Sequence, residues 1–383
     1  MNDFLIICLK YGYGNWQHMK SFATCLQHRG YKVHFILSKD LRWMYADFDS
    51  MSYYLTTSHS FLSILWDAFL FFLYKWFIYV KVFRKHKPGR MLLVMWHPLN
   101  FFVTKLAKTL CPKCQIYIWM HEPYKVDILE YKEKALAIRC IEYLQQMLLP
   151  LLDIVVLHSE RARSAFEIRY PNHKGKVKVI PLLFMDECKM KSTNPRLFDI
   201  TFLGTAGKAK GIESFLEIVR QNKDLNSGLK FQLVTSSKID TYLRKLDTGW
   251  DMFLKVINKP LISDQEMREA CAKSYTVIAP YRETTQSGVV PVAFMCGTPV
   301  IGTDIEGLRE YIINKSNGIL VPKDFSYEDV VFALEYIKAN FIELSKNSRK
   351  SFVDIWSDKN FDRYYGWLNE TDTNNSPFAR NNS

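Results

Sequence analysis

The chain is short of acids. It carries 39 Asp and Glu against 51 Lys and Arg in 383 residues, a formal net charge of +12. A basic surface favours acidic partners such as nucleic acid, anionic lipid or nucleotide phosphates, and composition alone does not choose among them. Charged residues are scarce altogether, at 23% beside 48% hydrophobic, which excludes a disordered chain. Paired cysteines are also missing. Cys8, Cys25, Cys111, Cys114, Cys140, Cys188, Cys271 and Cys296 lie mostly in apolar runs, where a reduced thiol is a small core residue, and this points to a reducing compartment. Only Cys111-Pro-Lys-Cys114 is a close pair. It is two ligands short of a zinc site and reads as a helix-to-strand loop. The amino terminus shows no basic leader, and the apolar run Phe4 to Leu9 is too brief for a secretory signal, so it reads as a first strand.

What is there is an alternation of strand and helix patterns over a length that accommodates two domains. The most informative stretch runs from Pro280 to Ile312. An apolar run, Tyr275 to Ala279, leads through the polar turn Thr284-Thr285-Gln286-Ser287-Gly288 into a periodic apolar segment ending at Cys296-Gly297. A further strand begins at Thr298. This is a β-α-β unit whose loop lies at the carboxyl ends of parallel strands, where such sheets bind ligands. A helix opening after Gly288 offers free backbone N–H groups to an anion.

Pro280, Ala293, Cys296-Gly297, Pro299-Val300, Gly307 and Glu310 together resemble the donor-site signature of glycosyltransferase family 4. The resemblance implies a GT-B fold, two Rossmann-like α/β domains facing each other across a cleft, and transfer of a sugar from a nucleotide sugar with retention of configuration. Most members carry two glutamates flanking the loop. Here Thr284 and Val292 hold those positions, Glu283 stands beside the first, and the chain resembles a variant branch with TQSG in the loop.

Read from the start, Gly12 and Gly14 lie in a loop before a helix from about Trp16 to His28. Arg29-Gly30-Tyr31-Lys32-Val33 then enters the second strand, and this is the opening of a Rossmann-like half. Residues 61–87 are rich in aromatics. On a helical wheel Ser63, Asp67, Tyr74, Lys81 and Lys85 fall within about 40° of one another, a narrow polar stripe suited to lying in a membrane interface. Arg84, Lys85, Lys87 and Arg90 add attraction to an anionic leaflet. A helix buried between sheet and neighbours is the other reading. The strand Ile116 to Met120 ends in His121-Glu122-Pro123. The resemblance places His121 near the transferred sugar, and Glu122 is a candidate acceptor for the proton of the acceptor hydroxyl. Residues 1–187 read as the acceptor domain and 188–196 as the linker.

The second domain, 197–345, opens with a strand and then Gly204-Thr-Ala-Gly-Lys208-Ala-Lys210-Gly211. Glycines allow close backbone approach and lysines oppose a diphosphate. No Ser or Thr follows the lysine in Walker spacing. Residues 346–368 read as the segment crossing back and 369–383 as a polar tail.

These readings make His121, Glu122 and Glu283 the catalytic candidates. Gly12, Gly14, Gly204, Lys208, Lys210, Thr285, Gln286, Ser287, Gly288 and Glu310 are the donor-binding candidates. The resemblance implies no metal and no cofactor beyond the nucleotide-sugar donor. The expected partners are that donor, a glycan or lipid-linked oligosaccharide acceptor and an anionic membrane surface, with no nucleic acid. The expected place is cytoplasmic, peripheral on the inner face of the plasma membrane. The expected role is bacterial surface polysaccharide synthesis, as in O-antigen of lipopolysaccharide, capsule or exopolysaccharide. A catalytically degenerate glycan-binding or scaffold protein of the same fold is the alternative, supported by the absent glutamate pair.

Overall fold

The computed structural model describes residues 3–9, 13–38, 52–55, 69, 73, 76–121, 123, 143–188, 195–246 and 248–369. The strands are β1 (Asp3–Cys8), β2 (Lys32–Ser38), β3 (Ser52–Leu55), β4 (Arg90–Val94), β5 (Gln115–Trp119), β6 (Ile154–Leu157) and β7 (Lys176–Val179) in the first half. The second half has β8 (Phe198–Leu203), β9 (Phe231–Thr235), β10 (Leu254–Asn258), β11 (Ser274–Ala279), β12 (Val300–Thr303) and β13 (Gly318–Val321). They form two all-parallel sheets, a seven-stranded one in the order β3-β2-β1-β4-β5-β6-β7 and a six-stranded one in the order β10-β9-β8-β11-β12-β13. Strands such as Phe4-Leu-Ile-Ile-Cys8 and Ile154-Val-Val-Leu157 are continuous apolar runs because helices cover both faces. Each sheet reverses its strand order once, between β1 and β4 and between β8 and β11. A crevice for ligands opens at such a reversal, beyond the carboxyl ends of the strands. The two Rossmann-like α/β halves match the fold expected from sequence.

The helices used below are α1 (Tyr13–His28), α2 (Trp76–His86), α3 (Leu99–Leu110), α4 (Glu160–Arg169), α5 (Ile212–Asp224), α6 (Asp264–Ala272), α7 (Val289–Met295), α8 (Tyr327–Ala339), α9 (Phe341–Ile355) and α10 (Phe361–Tyr365). Two boundaries differ from the sequence reading. α1 starts at Tyr13, so Gly14 lies in its first turn rather than in a loop. A first-turn residue needs no intrahelical partner for its N–H, so helix there forgoes little. The short edge strand β3, in register with β2 from Phe35↔Ser52 to Ser38↔Leu55, has no apolar alternation to announce it. Gly12, Glu122, most of 61–75, linker residues 189–194 and tail residues 370–383 lie outside the described residues. Cys111 and Cys114 are buried in the loop joining α3 to β5.

Of the aromatic segment, α2 is described. Its Tyr79, Val82 and Phe83 pack into the core beside Leu5, Ile7 and Met91. Its other side shows Phe77, 59% exposed, with Lys81, Arg84 and Lys85. One face is therefore core and the other is aromatic and basic at the surface. Among the described residues no helix is long and apolar enough to cross a membrane.

The chain crosses between the halves twice, and the two crossings hold each other. Phe184 N–H donates to the Trp356 carbonyl at 2.8 Å, and Asp358 N–H donates to the Phe184 carbonyl at 3.0 Å. Beyond Ser357, α10 returns to the first half. There Phe361, Tyr365 and Leu368 join the core formed by Phe4, Phe22 and Trp119. The Phe22 and Phe361 ring centroids stand 5.6 Å apart, and Arg29 lies over the Phe361 ring at 4.4 Å. Truncating Phe361 removes the ring that packs on Phe22 and lies under Arg29. Phe361→Ala is expected to cost about 3 to 5 kcal/mol, read as a fall in the urea midpoint of the first half's transition.

Candidate functional site

The site is built at the strand reversal of the second sheet. Two loops leave neighbouring strands there, 204–211 after β8 and 280–288 after β11. They are clamped together: Arg282 N–H donates to the Ala209 carbonyl at 3.0 Å. Gly211, at φ +70°, passes so close to this loop that a Cβ would lie 1.8 Å from the Pro280 carbonyl oxygen. Gly307 approaches from the other side, where a Cβ would lie 2.1 Å from the Thr284 carbonyl oxygen. Both glycines are demanded by close backbone approach.

Lys210 stands in the middle of this arrangement. Its ammonium donates to Thr284 Oγ1 at 3.2 Å and lies 4.1 Å from the centroid of the Tyr281 ring. Gly204 lies at φ +95° with Val289 near its α-carbon, so the structure brings Gly204, Lys210 and the 280–288 loop together. Lys208 is exposed on a single 3-10 turn, Lys208–Lys210. Glu283 is also exposed. A cavity of about 340 Å³ opens beside the same loop at the carboxyl edge of the sheet, lined by Ser214, Pro280, Arg282, Lys323, Asp324 and Phe325. Its cations, Arg282 and Lys323, lie in separate loops and formed no sequence pattern.

Across the cleft, His121 follows β5 of the first half. Gln286 Nε2 lies 3.0 Å from His121 Nδ1, and Thr285 Oγ1 donates to the His121 carbonyl at 3.3 Å. Ser159, the N-cap of α4, donates its hydroxyl to the Thr285 carbonyl at 2.6 Å while accepting from Ala162 N–H. His121 Nε2 is 3.4 Å from His18 Nε2, on α1, and the His121 ring stacks on His158 at 4.5 Å and 26°. With the Gln286 amide donating to Nδ1, neutral His121 carries its proton on Nε2, facing His18. His158 is oriented by its own Nδ1, 2.8 Å from the Ile180 carbonyl. His158 Nε2 and Gln286 Oε1 are buried with no hydrogen-bond partner among the described residues. His18 and His158 were not singled out from sequence, because lone histidines on apolar patterns carry no signal until the fold stacks them.

Three expected donor contacts are arranged otherwise. Thr285 and Ser287 are buried and turned inward: Thr285 bonds His121, and Ser287 Oγ accepts from Val289 N–H and stands 3.3 Å from Tyr281 Oη. Glu310 spans the cleft, its carboxylate accepting from Arg161 N–H at 2.7 Å and Glu160 N–H at 3.1 Å. Those N–H groups are the unpaired start of α4, whose dipole attracts a carboxylate. Gly288 is exposed at the start of α7, a helix of only seven residues.

Burial holds His121 well below the ordinary histidine range, helped by repulsion from His158 and His18, and burial pushes His158 down to about 4. Both rings are neutral at pH 7. Between pH 6.5 and about 4 the unfolded chain takes up protons that folded His158 refuses, so stability falls as pH falls through that window. His158 alone accounts for about 3 kcal/mol of that loss. Urea midpoints measured from pH 7.5 to 4.5 are expected to fall more steeply in the wild type than in His158→Gln, and parallel curves would refute the assignment.

The comparisons with known proteins agree with the fold. Residues 198–337 match the family model described as Glycosyl transferases group 1, which spans the second half of the chain and both loops. No curated protein matches the chain in sequence. Among solved structures, sucrose-phosphate synthase from Thermosynechococcus elongatus is similar with a TM-score of 0.68 at 15% identity, covering 96% of this chain and 98% of that one. HepE from Anabaena, solved with UDP and glucose, gives a TM-score of 0.68 at 14% identity, over 96% and 99% of the two chains. TarM of S. aureus gives 0.71 at 10% identity, over 96% and 98%. At these identities the likeness is one of fold. Residues 198–337 thus match a glycosyltransferase group 1 domain, the two halves share the GT-B fold, and the two findings together support a transferase enzyme.

Proposed function

We propose that the protein is a retaining glycosyltransferase of the family 4 type that moves a sugar from a nucleotide sugar to a lipid-linked glycan during synthesis of a bacterial surface polysaccharide. The observation that carries the reading is the meeting of Lys210, the 280–288 loop and His121 at one point of the cleft. Structural neighbours solved with UDP and with glucose lend it support.

In this reading the donor lies against the second half, its nucleotide in the cavity beside Pro280 and Arg282. The diphosphate faces Lys210, which leaves Thr284 to meet it, with Lys208 at the rim. Positive charge placed where the leaving phosphate gains negative charge lowers the barrier, and the route calls for no metal. The acceptor hydroxyl attacks the sugar carbon on the face the diphosphate leaves. A phosphate oxygen, assisted by Glu122 or Glu283, takes the hydroxyl proton, so no protein nucleophile is consumed. The neutral imidazole of His121, held by Gln286, borders the sugar. The TQSG loop thus supplies through Gln286 a contact to the first half, in place of the usual glutamate pair.

The lipid-linked acceptor and the membrane surface rest on α2. Phe77 is exposed on α2, Phe69 and Leu73 are exposed ahead of it in the chain, and Lys81, Arg84 and Lys85 continue the surface of α2. Apolar side chains enter the interface while the cations meet anionic headgroups, with the enzyme peripheral to the cytoplasmic leaflet.

Calorimetric titration with UDP, GDP, ADP and CMP tests the donor site. One nucleotide is expected to bind with micromolar Kd, and Lys210→Ala to weaken it by ten-fold or more. Absence of binding to all four by folded protein would favour the degenerate scaffold. Gln286→Ala is expected to lower kcat for sugar transfer by about 10-fold to 100-fold with little change in nucleotide Kd. Sedimentation with vesicles of anionic phospholipid should pull down the wild type and leave Phe77→Asp in solution, whereas equal binding of both would remove α2 from the membrane.

A further inference from the structure

Asp3, His34 and His86 are distant in sequence and lie away from the cleft. Asp3 opens β1, His34 stands on β2 in register with Leu5, and His86 ends α2. Side chains alternate along a strand, so Asp3 and Leu5 share a face. Leu5 and Ile36 on that face pack against Tyr79, Val82 and Phe83, and the packing carries the last turn of α2 over the start of both strands. His34 Nε2 lies 2.7 Å from Asp3 Oδ1. The His34 and His86 rings are 3.9 Å apart at 38°. One ligand atom from each of the three residues lies within 4.8 Å of the other two. His34 is buried, and Asp3 and His86 are half-buried.

We propose that Asp3, His34 and His86 bind a divalent transition-metal ion, with zinc the best match, at the end of the first sheet opposite the cleft. Two imidazoles and one carboxylate form a nitrogen and oxygen donor set that suits zinc, whereas magnesium and calcium favour all-oxygen shells. Tetrahedral zinc with ligands at about 2.0 to 2.1 Å spaces them about 3.4 Å apart. The Asp3–His34 pair is already inside that spacing, and His86, at a helix end, closes on it by a movement of about 1 Å. The ion takes the place of the proton between His34 Nε2 and Asp3, and water fills the fourth position on the half-open side.

The surroundings set the strength of this site. His34 Nδ1 has no hydrogen-bond partner among the described residues, so the site lacks the outer bond that makes a ligating imidazole more basic. Lys85 acts on His86 and adds repulsion. Both features assign it to exchangeable, micromolar sites rather than permanent structural ones. A bound ion ties β1, β2 and α2 together and acts on stability, not on the chemistry of the cleft.

The test is calorimetric titration of tag-free, full-length protein with zinc chloride, run beside His86→Ala and Asp3→Asn, each checked for folding by circular dichroism. The expected result is one zinc per chain with micromolar Kd in the wild type, weakened at least ten-fold in both variants. Cobalt(II) should give the absorption of a tetrahedral nitrogen and oxygen site that His86→Ala loses. Zinc should raise the Tm of the wild type and not that of His86→Ala, and nucleotide binding should be the same in all three. Absence of zinc binding below about 1 mM, or equal affinity in wild type and folded variants, overturns the proposal.

Discussion

The arrangement depends on a seam of polar contacts between two halves that each have their own α/β sheet. Ser159 holds the Thr285 carbonyl, Gln286 holds His121, Tyr311 Oη donates to the His158 carbonyl at 3.2 Å, and Glu310 closes the start of α4. Apart from those of the exposed Glu310, these are hydrogen bonds that buried or half-buried groups must make somewhere. Their combined effect is to dock the donor loop of one half against the strand-end histidine of the other. In the proposed reaction this juxtaposition matters, because effective concentration falls steeply once reacting groups part.

The seam is polar and the hinge is firm. Phe184 and Ser357 pair across the two crossings, and Trp356 is fully buried, so the two crossings form one packed junction between the halves. α10 belongs to the first half's core although it follows the second half in sequence. The two halves are therefore tied by covalent crossings with a hydrophobic anchor on one side and by exchangeable hydrogen bonds on the other. Such a division lets a cleft open without unfolding either sheet.

Electrostatics divides the same way. The +12 charge is spread over the chain, while the cleft depends on a few placed groups. Lys210 rests over an aromatic ring beside Thr284. His121 and His158 are kept neutral by burial, which conserves hydrogen-bonding capacity without adding charge beside the 280–288 loop.

Local patterns determined much by themselves. Continuous apolar strands, the polar turn 284–288 and the glycine loop after β8 made the second half legible, because each signal acts within a few residues. Glycines 211 and 307 stood in recognisable motifs, although only the fold shows that the backbones of Pro280 and Thr284 press against them. The sequence was silent about partners chosen across the cleft. It offered Thr285, Ser287 and Glu310 as ligand contacts, whereas tertiary structure turned them toward His121, Val289 and α4. It offered no hint that His18, His121 and His158 would cluster, or that Asp3, His34 and His86 would meet. Secondary structure follows from the periodicity of neighbours, so a sequence states it directly. Contacts between residues a hundred positions apart arise only when sheets and helices have packed, and that packing decided which polar side chains face a ligand and which face the protein.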